Sequence, residues 1–147
     1  EAALQDLQAW IAGMRPLIED NGGIINRYVG DAIFACWPCA ISAPEVVLTA
    51  VRAIENYRPH SPVVFRFVLH HGSAFFTRSD VGEELAGQDV NLLFRAEKTA
   101  KRFECLALLS ESAVLTLQLK GRCETAGRST IEGIDGEFTF YRLPPKL

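Results

Sequence analysis

Apolar residues recur at Leu4, Leu7, Trp10 or Ile11, Met14 and Leu17 or Ile18, the three-to-four spacing that lines one face of a helix. The glycines of Asn21-Gly22-Gly23 should end it, because they admit the left-handed or turn conformations that stop a helix. The period then changes to that of strands. Ile24 to Tyr28 and Ala32 to Trp37 are β-rich runs joined by Val29-Gly30-Asp31, which predicts a hairpin with Asp31 at its tip. Pro38 and Pro44 bracket a loop, and Val46, Val47, Ala50, Ile54 and Tyr57 mark a second helix that ends before Pro59. Strands are expected over Val63 to His70 and Ser73 to Thr77, hinged at Gly72, followed by a polar connection from Arg78 to Gln88. Asp89 is placed to cap a third helix running to about Arg102. A strand from Cys105 to Leu109 follows, then a short helix from Ser110 to Leu119 with Ser110 as its cap. Closing strands run from Cys123 to Ile131 and from Phe138 to Leu143.

Helices and strands therefore mix without an internal repeat or a low-complexity linker, which predicts an α+β fold. The chain opens at Glu1, inside the first helical pattern, so we expect one domain over 1–147 that lacks an N-terminal strand. With that strand restored, the order is that of a ferredoxin-like core, βαββαβ, carrying an additional C-terminal helix and β-hairpin.

Composition narrows the function classes. The 147 residues are 48% hydrophobic, enough for a buried core. Fifteen Lys and Arg against 18 Asp and Glu leave a net charge of -3, with no basic excess to hold a nucleic-acid backbone. The apolar runs fall far short of the ~20 residues that a spanning helix needs. Four cysteines are too few for a disulfide scaffold at this length and suit a reducing, cytoplasmic compartment.

Two segments carry chemistry together: Asn21-Gly-Gly-Ile-Ile-Asn-Arg-Tyr-Val-Gly-Asp-Ala-Ile-Phe-Ala, and Gly87-Gln-Asp-Val-Asn-Leu-Leu-Phe-Arg-Ala-Glu97. The first resembles the Gly-Gly, basic residue, Gly-Asp hairpin of the class III adenylate and guanylate cyclases. The second resembles that family's Gly-x-x-Val-Asn-x-x-x-Arg-x-Glu helix start, and the segment from Glu132 to Arg142 resembles its closing hairpin. The matches come in family order and span essentially the whole chain.

From the residues alone, Asp31 presents a carboxylate at the end of two strands, where Mg²⁺ could use it together with substrate phosphates, or where it serves simply as a turn former. Asn91 and Arg95 are four apart on one helix, so they share a face. The resemblance implies more. It makes Asp31 one of two metal aspartates for Mg²⁺ or Mn²⁺, the other belonging to the absent first strand. It makes Asn91 the residue that orients the ribose, and Arg95 the one that neutralises charge on the α-phosphate as ATP becomes 3′,5′-cyclic AMP and diphosphate. It implies a head-to-tail homodimer, with the metal aspartates from one chain and the remaining groups from the other, and fusion to a sensory or regulatory domain.

Departures from the family pattern fall at named positions. The adenine-reading lysine falls on Arg27 and its partner on Glu84, which keep charge but change shape. The phosphate-binding lysine of the closing hairpin falls on Glu132, a reversal of charge, and the stretch from Gly72 to Gly87 is several residues short. The contrasting expectation is therefore a catalytically silent cyclase-homology domain that acts as a regulatory dimerisation module. Cys36-Trp-Pro-Cys39 has redox spacing, but its helix signal begins only after Pro44, so these thiols read as small hydrophobes. His70 and His71 read as structural, and the phenylalanines 65, 67, 75, 76, 138 and 140 as core or a dimer face.

Overall fold

In the computed structural model, which describes residues 2–80 and 82–147, the first helical stripe becomes α1 (Ala2–Glu19), with Trp10, Met14 and Ile18 buried on one face. It ends as the glycines require. Gly22 takes φ +84° and the Gly23 amide donates back to the Ile18 carbonyl at 2.8 Å, the six-to-one bond of a Schellman cap. The expected strand ahead of the first helix would precede Glu1, outside the described residues. β1 (Ile24–Val29) and β2 (Ala32–Cys36) form the antiparallel hairpin, with Val29 opposite Ala32. Gly30, at φ +59°, supplies the left-handed backbone that a two-residue loop needs. The Trp37 indole N–H donates to the Asn21 carbonyl at 2.9 Å, fastening the exit of the hairpin to the end of α1.

α2 (Pro44–Tyr57) follows and buries Leu48, Ala50, Val51 and Ile54, then runs into a 3-10 turn at Arg58–His60. These elements form one compact unit, residues 1–65 with Leu147, and residues 66–146 form a second. The expected strand from Val63 is much shorter. Val64 is 86% exposed, and Phe65 turns inward against Trp10, ring centroids 5.7 Å apart, under the Arg58 guanidinium. Packing of Phe65 wins over pairing there.

In the second unit β3 (Phe67–Leu69) pairs in parallel with β6 (Ala107–Ser110), not with the strand after Gly72. That next strand, β4 (Phe75–Ser79), pairs with β5 (Gly82–Ala86), which occupies the stretch read as a polar connection; Val81, also in that stretch, lies outside the described residues. α3 spans Gln88–Arg102, and α4 is the short helix Glu111–Thr116, capped as expected by the Ser110 hydroxyl, which accepts from the Ala113 amide. β7 (Glu124–Ile131) and β8 (Ile134–Arg142) close the chain as a hairpin, β8 beginning four residues earlier than expected. The sheet order is β3-β6-β8-β7. Leu92, Ala96 and Ala100 from α3 pack with Cys105, Leu108, Ile131 and Phe140 to form its core.

Candidate active site

Asp31 stands exposed at the hairpin tip between β1 and β2. Arg27, on β1 opposite Phe34, lays its guanidinium over that buried ring, 5.2 Å from the centroid. Among the described residues no three His, Cys, Asp or Glu side chains cluster as a ready-made metal site. A lone exposed carboxylate can supply one ligand to Mg²⁺ or Mn²⁺, whose remaining positions would have to come from substrate phosphates, water and a further carboxylate.

The other candidates lie in the second unit. Glu84 is half-buried on β5, opposite Thr77 and three residues before Gly87, from which α3 departs. Asn91 and Arg95 are both exposed on α3, one turn apart. Between them and the core, Leu92 and Ala96 anchor the helix. The Arg95 Nη1 donates to the main-chain carbonyl of Glu132, in the turn between β7 and β8. The structure thus brings Arg95 to the closing hairpin, next to the residue where the resemblance expected a lysine. Arg27 and Asp31 belong to the first unit and Glu84, Asn91, Arg95 and Glu132 to the second.

Asp89 corrects the sequence reading. The residue before α3 is Gly87, at φ +133°, with no side-chain cap, and Asp89 sits inside the first turn. Its Oδ2 accepts the Ser73 amide at 2.9 Å and its Oδ1 meets His70 Nε2 at 2.8 Å. Burial acts to raise the Asp89 pKa, but the His70 hydrogen bond, the Ser73 amide and the nearby histidine charge outweigh it and hold the carboxyl below its ordinary value. His70 Nδ1 lies 2.7 Å from Ser110 Oγ and 3.2 Å from Ser112 Oγ. A serine, a histidine and an aspartate in line suggest a hydrolytic triad, yet Ser110 is buried and its oxygen is committed to capping α4. The contact was hidden from sequence because His70 and Asp89 are 19 residues apart and neither helix nor strand periodicity links them.

The surroundings of Cys36 do not favour thiolate chemistry. Cys36 ends β2, Cys39 is exposed, both are free, and burial pushes the Cys36 thiol up, opposite to what thiolate chemistry requires. Of the phenylalanines, Phe65 and Phe140 are core, whereas Phe75 and Phe76 on β4 are 59% and 66% exposed. No helix among the described residues is long and apolar enough to cross a membrane.

No protein-family profile matches the chain. It is 29% identical over 128 residues to the adenylate cyclase of Anabaena cylindrica, covering 76% of this chain and 25% of that protein. It is 27% identical over 119 residues to the terminal-differentiation-specific adenylate cyclase of Dictyostelium discoideum, covering 71% of this chain and 6% of that protein. The chain therefore spans a quarter or less of the curated relatives it matches. Among solved structures, the adenylyl cyclase CyaB from P. aeruginosa superposes with a TM-score of 0.67 at 18% identity, covering 94% of this chain and 80% of that one. The guanylyl cyclase Cya2 superposes with a TM-score of 0.65 at 17% identity, covering 95% and 79%. The chain has the α+β fold of the class III nucleotidyl cyclase catalytic domains, with their ferredoxin-like core, and its sequence is similar to adenylate cyclases.

Proposed function

We propose that this domain converts ATP to 3′,5′-cyclic AMP and diphosphate, as a head-to-tail homodimer using Mg²⁺ or Mn²⁺. The observation that carries the reading is the placement of Asn91 and Arg95 on one exposed face of α3, with Arg95 reaching the closing hairpin. In the reaction the ribose 3′-oxygen loses its proton and bonds to the α-phosphorus, while the bond from that phosphorus to the bridging oxygen breaks and diphosphate leaves. Asn91 orients the ribose. Arg95 donates to the α-phosphate oxygens, whose charge grows in the transition state. Arg27 and Glu84 read the base edge. Asp31 would hold the divalent cation, which when bound supplies charge neutralisation at the phosphates. Phe75 and Phe76, exposed on opposite sides of β4, support an apolar strand that a second copy could cover.

The exposed acid at Glu132 favours a second reading, the silent dimerisation module, since it replaces a cation with an anion. One experiment separates them. Asp31→Ala and Arg95→Ala are each expected to be inactive alone with ATP and Mn²⁺. If the two residues come from opposite chains, an equal mixture regains about one quarter of wild-type activity, because half the dimers are mixed and each mixed dimer keeps one intact site. No cyclic AMP from the unaltered full-length protein, which would carry both metal aspartates, would leave the silent module. Activity without restoration would remove the head-to-tail arrangement.

A further inference from the structure

We propose that His70 and Asp89 are positioning residues that fix the first turn of α3 and, through it, Asn91 and Arg95; the inference rests on the cyclase reading above. The argument begins with what α3 lacks. Its first turn has no local side-chain cap, and Gly87 gives the backbone unusual freedom at the point of entry. The first ring of the helix closes when the Asn91 amide donates to the Gly87 carbonyl at 3.1 Å, so the functional asparagine sits at the least supported end.

Asp89 replaces the missing cap with a tertiary anchor. An acid in the first turn is favoured by the helix dipole, but this carboxylate spends both oxygens elsewhere, on Ser73 and His70. His70 is itself held. Its side chain is 10% exposed, and its second nitrogen meets Ser110 and Ser112, while Ser112 also donates to the His71 carbonyl at 2.7 Å. When Nε2 donates its proton to Asp89, Nδ1 is left to accept from a serine hydroxyl, so the four groups complete one another. His70 directly follows β3 and Ser110 ends β6, two strands paired in parallel, and the network therefore ties α3 to the sheet. Gly72 makes room for it: a Cβ there would overlap the Asp89 carboxyl carbon.

The side on which Asp89 lies shows that it acts at a remove. At ~100° per residue, Asn91 and Arg95 are turned about 200° and 240° from Asp89 around the helix, close to the opposite face. Asp89 faces the sheet while Arg95 reaches the Glu132 carbonyl, so the start of α3 is held from two sides. The Gly-x-x-Val-Asn pattern leaves position 89 unspecified, which is why the motif alone assigns this residue nothing.

The test uses the purified protein with ATP and Mn²⁺. Asp89→Asn leaves one of two donors facing an amide N–H₂, and kcat should fall ~10-fold or more, as expected for a small displacement of catalytic groups. KM for ATP should stay within about twofold, since ground-state binding is not what moves. His70→Gln, which can still donate to Asp89, should retain more kcat than His70→Leu, and Gly72→Ala should reproduce the Asp89→Asn effect without touching the acid. Amide hydrogen exchange at residues 91 and 92, whose amides are the first in α3 to be bonded within the helix, should accelerate in each impaired variant. Unchanged kcat per folded molecule, or equal loss in His70→Gln and His70→Leu, would overturn the assignment. If the unaltered protein makes no cyclic nucleotide, the functional reading falls, and the exchange measurement alone decides: unaltered exchange at residues 91 and 92 in Asp89→Asn and Gly72→Ala sinks the positioning role.

Discussion

Replacing Arg95 with alanine should separate catalysis from stability, because the two effects differ severalfold in size. The side chain is exposed, and the bond it makes to the Glu132 carbonyl is one that water can replace. Such a hydrogen bond contributes about 0.5–1.5 kcal/mol, and alanine's slightly better helix propensity offsets part of that. Loss of a preorganised donor to developing oxyanion charge costs ~10²- to 10³-fold in rate, about 2.7–4 kcal/mol. Initial rates at saturating ATP and Mn²⁺ should therefore drop by at least ~10²-fold. For a domain of this size 1 kcal/mol shifts Tm by about 2–4 °C, so calorimetry should show a loss of no more than about 6 °C. Arg95→Lys should recover only part of the rate, since an ammonium cannot present the guanidinium fork. Unchanged turnover would refute the role, and failure to fold would show that Arg95 is structural.

Glu132→Lys should lower KM for ATP if the closing hairpin faces the phosphates: one charge near phosphate amounts to ~1–4 kcal/mol at ~4 Å, and the gain should shrink as salt is raised. Unaltered affinity at low salt would speak for the silent module. Phe140→Ala should cost ~3–5 kcal/mol and lower Tm by about 6–20 °C, because Phe140 is fully buried among Leu92, Ala96 and Ile131; a shift of a degree or two would refute that core. The Asp89 carboxyl is held below its ordinary value of 3.8, so its contribution to stability is present above that value and is lost as the pH falls through the lower folded-state pKa. Denaturation midpoints of wild type and Asp89→Asn should differ at about pH 6 and converge only as the pH falls below 3.8, and a pH-independent gap would contradict the assignment.

What the sequence made legible was whatever its local chemistry dictated. Gly30 has to supply a positive φ for a two-residue hairpin loop, so the position of Asp31 could be read directly. The spacing of Val90, Ala96 and Ala100 sets the inner face of α3, and Asn91 and Arg95 fall outside it. Strands whose pairing comes from elsewhere were not legible. Gly82-Glu-Glu-Leu-Ala86 has few strand formers and becomes β5 only against β4, and Ile134 to Glu137 joins β8 because β7 holds it. Val63 to Phe65 failed in the other direction: Phe65 turns in to pack on Trp10 while Val64 stays exposed, and the run pairs with no strand among the described residues. Asp89 obeyed the rule for a cap in sequence yet sits inside the helix, because Ser73 and His70 offer its carboxylate stronger partners than its own first turn does.

The same distinction between main chain and side chain decides how much the departure at Glu132 can change. Arg95 is held by the carbonyl of Glu132, a group that every residue type carries, so replacing the side chain alters the local charge without removing the contact. The next residue is different. Gly133 has φ +79°, and a Cβ on it would overlap the Arg95 guanidinium. Gly133→Ala would thus strain the turn by about 1–2 kcal/mol and push Arg95 from its place. The two turn residues should separate in kinetics. Position 132 sets the field a triphosphate meets and should appear in KM, whereas position 133 sets where the guanidinium stands and should appear in kcat. Were Gly133→Ala to change only KM, the Glu132 carbonyl would not be what places Arg95 for the reaction.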